Sequence, residues 1–386
     1  MCLQITWGLP PLTFEKEGME DMKTITPLVK PYIAPKEELM KELERVLYSG
    51  YIAEGEEVYQ FEEQLGAFAH NPLTLCLNSG TAALHIALEL IGVDRGDEVI
   101  STAMTAEPTN TTIALTGAKI VWGDVDINTG LLSPEDVQRR ITEKTKAIML
   151  VHYAGMVCDL DAFHKISEEY HIPVIEDAAH ALGSKYRGKM TGSNSPYTCF
   201  SFQAIKHMTT VDGGALCLKN ENEFKEAKKL KWFGLDKSVS RLKNDIKRPG
   251  YKYGMNNVTA AMGKVQLKHM ETIIGKHIEN GKYFDENLKG ISGITLIPYY
   301  EHTEPSYWLY TLKVEQREKF IKALEDKGIT ASPLHHRSDT HSVFEASRCE
   351  LPDLDKFYKE FVHIPCGWWV DEEERERIID VIKRGW

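Results

Sequence analysis

The sequence predicts an α/β protein with one large, mostly parallel seven-stranded sheet and a smaller C-terminal α+β domain. Two patterns carry this expectation. From residue 37 to about 255, short runs rich in Val and Ile alternate with stretches whose apolar residues recur at three- and four-residue steps. That alternation is the mark of parallel strands covered by helices. After about residue 255 it gives way to a long helical pattern, two short strand-like runs and another helix.

Taken in order, the strand candidates are residues 73–77, 98–101, 119–122, 147–152, 173–176, 198–201 and 215–218. Each is four to six residues long and bounded by polar or Gly-containing turns, as buried strands are. Helices are expected at 81–91, 134–141 and 160–170, where apolar residues fall on one face. The later part reads as helix over 258–290, strands over 294–297 and 307–314, and helix over 318–327, with the acidic run 371–376 opening a last helix. Residues 237–253, charged and containing Pro249-Gly250, read as a mobile loop. The domain organisation follows: a loose extension over 1–21 before Met22, a large domain over 22–255 and a small domain over 256–386.

The chain has 386 residues, enough for two domains, with 42% hydrophobic and 27% charged residues, so it can bury a sizeable core. A net charge of −11, from 46 basic and 57 acidic residues, argues against a surface built for a nucleic-acid backbone. No run approaches the roughly 18 apolar residues of a membrane span. The seven cysteines are scattered without a C-x-x-C pair, which points to reduced thiols and the cytoplasm. The first residues lack the charged start and apolar core of a secretory signal.

Three places carry chemistry. Asn78-Ser79-Gly80-Thr81 leaves a strand and opens a helix. The free N–H groups there suit a phosphate, Gly80 permits close approach, and Ser79 and Thr81 add hydroxyls, although an ordinary N-cap uses the same residues. Second, the strand 173–176 ends in Glu176-Asp177, at the strand end where α/β proteins bind ligands. One of these acids is expected to face a ligand, and a carboxylate there can hold a protonated heterocyclic nitrogen, bind a metal or cap the next helix. Third, Lys206 sits in the segment 199–207, between aromatic residues and a Gly213-Gly214 pair. Burial disfavours its ammonium form, and a neutral amine is what imine formation needs. A phosphate clamp, a ring-nitrogen partner and an amine together match pyridoxal 5'-phosphate (PLP).

With these residues in view, the chain from about residue 26 onward resembles the DegT/StrS-type sugar aminotransferases, a branch of the fold-type I PLP-dependent transferases. The resemblance rests on the blocks at 50–55, 61–62, 78–81, 96–100, 176–180, 201–206, 213–214 and 250–253. It implies that Lys206 carries the cofactor, Asp177 pairs with the pyridine nitrogen, and His180 lies near the phenolic oxygen. Gly80, Thr81 and Ser201 hold the phosphate, and Lys252 reaches it from a second subunit of a homodimer. It implies transfer of an amino group from glutamate to a keto sugar, most often nucleotide-linked, in amino-sugar and polysaccharide biosynthesis. The alternatives are a PLP-dependent dehydratase, an aminotransferase for a free keto or aldehyde sugar acid, and a non-catalytic relative. Lys206, in place of the histidine of the dehydratases, favours transamination.

The chain departs from the family where relatives carry a ring-stacking aromatic (Ala106), an Asn (Lys252), an Arg (Gly254) and Gly-Glu-Gly-Gly (residues 211–214). Asp177, facing a cation, is expected to have a lowered pKa. His335, His336, Arg337, Lys185, Arg187 and Lys237 are candidates for meeting a diphosphate or carboxylate. The near P-loop at 183–190 ends in Met190 where Ser or Thr must stand, so nucleotide hydrolysis is not expected. Adjacent His335 and His336 lack partners at zinc-ligand spacing, and no metal is expected.

Overall fold

The computed structural model describes residues 25–386. The expected extension at 1–21 lies outside the described residues. All seven expected strands join one sheet, in the spatial order Thr74–Leu77, Gly214–Leu218, Tyr197–Ser201, Val174–Asp177, Thr145–Val151, Glu98–Thr102, Lys119–Gly123. From Tyr197–Ser201 to Lys119–Gly123 neighbouring strands are parallel, whereas Gly214–Leu218 runs antiparallel to both its neighbours. The central strands are buried on both faces, which explains their nearly unbroken apolar sequence.

The covering helices begin and end where their side chains dictate. Gly80–Ile91 turns Ala82, Ala83, Leu84, Ile86, Ala87 and Leu88 inward and stops at Gly92 in the left-handed region, φ +76°. Leu160–Tyr170 buries Leu160, Phe163 and Ile166, and Asp159 caps it by accepting the Ala162 N–H at 3.2 Å. No helix among the described residues is long and apolar enough to cross a membrane.

The C-terminal part builds a second, antiparallel sheet of Ile294–Leu296, Tyr310–Val314 and Phe361–Ile364. A separate apolar cluster running from Phe284 to Ile382 surrounds it. The helix expected over 258–290 is two helices, Asn257–Leu267 and Met270–Asn287. They part at Lys268 and His269, where no Gly or Pro marks a break. Ala260 of the first helix and Met270 and Ile273 of the second pack into one cluster with Phe61, while Met262 and Val265 join another with Leu39. The strand expected from 307 starts only at Tyr310, because Tyr307 is left-handed at φ +48°. The near P-loop forms the hairpin Lys185–Tyr186 and Lys189–Met190 instead of joining a strand to a helix. The 237–253 stretch is anchored at its end by the Tyr251 N–H to Leu230 O bond at 2.6 Å and by pairing of Lys252 with Trp232.

Candidate active site

The chemistry-bearing segments meet at the carboxyl ends of the central strands, as expected for an open α/β sheet. Thr74–Leu77 runs into Ser79, whose Oγ accepts the Ala82 N–H at 3.0 Å and caps helix Gly80–Ile91. The amides of Gly80 and Thr81 lie ahead of any intrahelical acceptor and face the positive end of the helix dipole. Ser201, at the end of its strand, abuts them: a Cβ on Gly80 would lie 2.8 Å from Ser201 Cβ. Gly214 packs against the backbone of Ser79 and Gly80 so closely that no Cβ fits there. Gly214 is therefore what lets the antiparallel strand pass this turn.

Glu176 and Asp177 point to opposite faces of their strand, and the structure separates their fates. Glu176, fully buried, meets His152 Nε2 at 2.7 Å. Asp177, 4% exposed, turns into the site: the Thr109 hydroxyl donates to its Oδ2 at 2.7 Å and the Ala179 N–H to its Oδ1 at 3.1 Å. Burial raises the Asp177 pKa, against the opposing pull of these two donors and of Lys206. The expected lowering concerns Asp177 facing the cation of a ring nitrogen; the protein's own groups by themselves raise it. Thr109 escaped the sequence reading, although its place after the carboxyl end of Glu98–Thr102 was the signal available.

Lys206 lies in the loop between Tyr197–Ser201 and Gly214–Leu218, closed by the Phe202 N–H to Gly213 O bond at 2.8 Å and the Thr210 N–H to Phe202 O bond at 2.9 Å. Its Nζ has no hydrogen-bond partner among the described residues and stands 4.5 Å from the ring centroid of Trp308. Burial lowers its pKa to about 8, with Asp177 pulling the other way. His180 stacks on Trp308 at 3.8 Å and 16° and lies 5.7 Å from the nearly parallel ring of His335. The Ala154 N–H donates to His180 Nδ1 at 3.3 Å, which leaves the proton of the neutral ring on Nε2. Burial holds His180 well below its usual pKa and His335 down to about 3. Trp308 was missed in the sequence because a lone Trp inside the strand expected over 307–314 reads as core.

The other candidates are distributed unevenly. Lys185 pairs with Glu304, Arg187 with Asp161, Lys237 with Glu54, and Arg337 with both Asp339 and Asp355. His336 meets Thr340 at 2.7 Å. Of that set only His335 joins the ring cluster beside Lys206. Lys252 sits with its carbonyl accepting from Asn78 Nδ2 at 3.1 Å and its Nζ 4.0 Å from the Trp232 centroid. A Cβ at Gly254 would lie 2.6 Å from Glu54 Oε2, so the glutamate fills the space that a side chain at this position would need. Ala106 is the N-cap of helix Glu107–Thr116 and offers no ring.

A turn too tight for a Cβ at Gly80, free first-turn amides, an unpartnered buried amine and an ordered buried carboxylate fit the phosphate, aldehyde and pyridine nitrogen of PLP. Comparison with known proteins agrees. A model of the DegT/DnrJ/EryC1/StrS aminotransferase family matches residues 34–383. The sugar aminotransferase CalS13 from Micromonospora echinospora superposes with a TM-score of 0.90 at 33% identity, covering 93% of this chain and 100% of that one. The PLP-form of Spr1654 from Streptococcus pneumoniae gives 0.87 at 30% identity, covering 93% and 98%. The spore coat polysaccharide biosynthesis protein SpsC of Bacillus subtilis is 30% identical over 92% of this chain and 96% of its own length. The chain belongs to the DegT/DnrJ/EryC1/StrS family of PLP-dependent aminotransferases.

Proposed function

We propose that this sugar aminotransferase moves an amino group from L-glutamate to a nucleotide-linked keto sugar, with Lys206 as its reacting amine. The observation that carries the reading is the buried, unpartnered Lys206 amine in a site that also holds the Asp177 carboxyl and the Gly80–Thr81 turn. Bound PLP supplies an aldehyde that accepts amines and a ring that takes up the charge left when a carbon gives up its proton. The rest of the chemistry falls to the protein's side chains.

Lys206, with a pKa near 8, is neutral often enough to act as nucleophile and to take a proton from the donor carbon. Asp177 holds a proton at the ring nitrogen, and a cation there reverses the effect of burial on its carboxyl. His180 donates its Nε2–H toward the phenolic oxygen. The Gly80 and Thr81 amides, with the Ser79 and Ser201 hydroxyls, hold the phosphate. Lys252, exposed and resting on Trp232, reaches the phosphate of a neighbouring subunit.

A homodimer is supported by an exposed apolar strip on and after helix Lys36–Tyr48, comprising Met40, Leu47, Tyr48, Tyr51 and Ile52. We place the domain boundary at residue 255, supported by the separate C-terminal apolar cluster. The deciding experiment incubates the holoenzyme with glutamate and a panel of keto sugars and identifies the product by mass. Borohydride trapping and peptide mapping should label Lys206; a label elsewhere, or loss of water in place of amine transfer, refutes the reading.

A further inference from the structure

We propose that Trp308 is a positioning residue that seats the free Lys206 ammonium on its indole face and so keeps a proton in the site between the two halves of the transfer. The inference rests on the reading of Lys206 as the reacting amine. Lys206 must leave the cofactor carbon during turnover, and the structure shows where a free amine at this position rests: 4.5 Å from the Trp308 centroid, with no hydrogen bond to any described residue. Trp308 is 2% exposed, so the contact is made away from water, where a cation over an indole is held most firmly.

The ring cannot easily swing aside. Its Nε1–H donates to the carbonyl of Ile205, the residue before Lys206, at 2.8 Å, so the seat is tied to the loop it serves. Its main chain lies on the turn at Ala154 and Gly155: Ser306 N–H reaches Gly155 O at 3.2 Å and Leu309 N–H reaches Ala154 O at 3.4 Å. A Cβ on Gly155 would stand 2.8 Å from Tyr307 N and 2.9 Å from Trp308 N. Tyr307, left-handed at φ +48°, is fastened by its hydroxyl to Asp285 Oδ2 at 2.9 Å. His180 stacks on the ring itself.

The other charged or titratable groups acting on Lys206 make the seat necessary. Asp177 favours the ammonium, while His180, His207 and His335, kept neutral by burial, do not repel it and, being without negative charge in either form, do not pair with it. Lys30 borders the same small void. Burial works against the ammonium throughout, and besides Asp177 the indole face is what opposes it. Without that face the amine gives up its proton to solvent more readily and carries it back to the substrate carbon less often.

The test uses PLP-free protein, so it is independent of turnover. Lys206 acetylation by acetic anhydride is followed against pH by peptide mapping in the wild type, Trp308→Leu and Trp308→Phe. Both variants lose the tie to Ile205, and only Phe keeps a π face. Trp308→Leu should move the acetylation midpoint down by about one pH unit, a roughly tenfold gain in rate at neutral pH, with Phe in between. An unchanged midpoint in Leu, or equal shifts in Leu and Phe, overturns the proposal. If Leu does not fold, as judged by circular dichroism, the partial shift in Phe against wild type decides. Borohydride mapping with PLP, run in parallel on the wild type, tests Lys206 itself: a label elsewhere defeats the functional reading while leaving the acetylation result to stand on its own.

Discussion

The Thr109 hydroxyl donates to Asp177 Oδ2 at 2.7 Å, and Thr105 Oγ1 stands 2.7 Å behind Thr109 Oγ1. With its proton committed to the carboxylate, Thr109 accepts from Thr105, so the pair orients Asp177 through a short hydroxyl chain. Thr109→Val keeps the shape and removes the bond. A hydrogen bond to a charged group contributes about 1.5–3 kcal/mol, so PLP affinity and kcat should each fall roughly ten- to hundredfold. Equilibrium dialysis of PLP and steady-state rates measure this; unchanged values of both would leave Asp177 without need of its support.

Burial raises the Asp177 pKa above its ordinary 3.8 in the cofactor-free protein. An acid with a raised folded pKa stabilises the fold fully below its unfolded value, and that contribution is lost as pH rises through the folded value. At neutral pH the ionised carboxylate is therefore a burden that a bound cation relieves. Asp177→Asn should raise the Tm of PLP-free protein at pH 7, with the gain shrinking as pH falls toward the ordinary aspartate value, while PLP binding weakens. A lower Tm at pH 7 contradicts the argument.

Strand positions were legible because a strand segment buried on both faces is apolar, as residues 147–151 and 174–175 are. Direction was not, since Gly214–Leu218 carries the same apolar run whether it runs parallel or antiparallel. The break at Lys268 and His269 carries no Gly or Pro that a local reading could use. Phe361–Ile364 was overlooked because its neighbours, Tyr310–Val314 and Ser332, lie far away in sequence. Site residues announced by a strand end or a glycine turn, namely Asp177, Gly80 and Lys206, could be read locally. Trp308 reaches Lys206 only through a long-range approach of chain segments that no local pattern records.

Two substitutions at one turn separate capping from phosphate binding. Gly80→Ala places a Cβ 2.8 Å from Ser201 Cβ, and forcing that contact costs about 1–3 kcal/mol. Affinity for PLP should fall roughly ten- to hundredfold. Ser79→Ala removes the acceptor of the Ala82 N–H and costs about 1 kcal/mol of stability, with a smaller loss of affinity than Gly80→Ala. Fluorescence titration with PLP, alongside denaturant unfolding of the cofactor-free protein, distinguishes them. The reverse ranking of affinities would make the Ser79 hydroxyl, not the backbone, the main phosphate donor.

Leu47 is 51% exposed and Tyr51 80% exposed on the apolar strip that the single chain leaves uncovered. A surface substitution away from other contacts changes stability by within about 0.5 kcal/mol, so Leu47→Asp should leave the fold intact. Placed inside a dimer interface, the same carboxylate is buried without a partner and costs several kcal/mol. Sedimentation equilibrium should therefore find the wild type at twice the chain mass and Leu47→Asp shifted to the single-chain mass, with PLP affinity reduced because Lys252 no longer arrives from a neighbour. A wild type that sediments as one chain, or a variant whose dimer survives, rules this face out as the subunit contact.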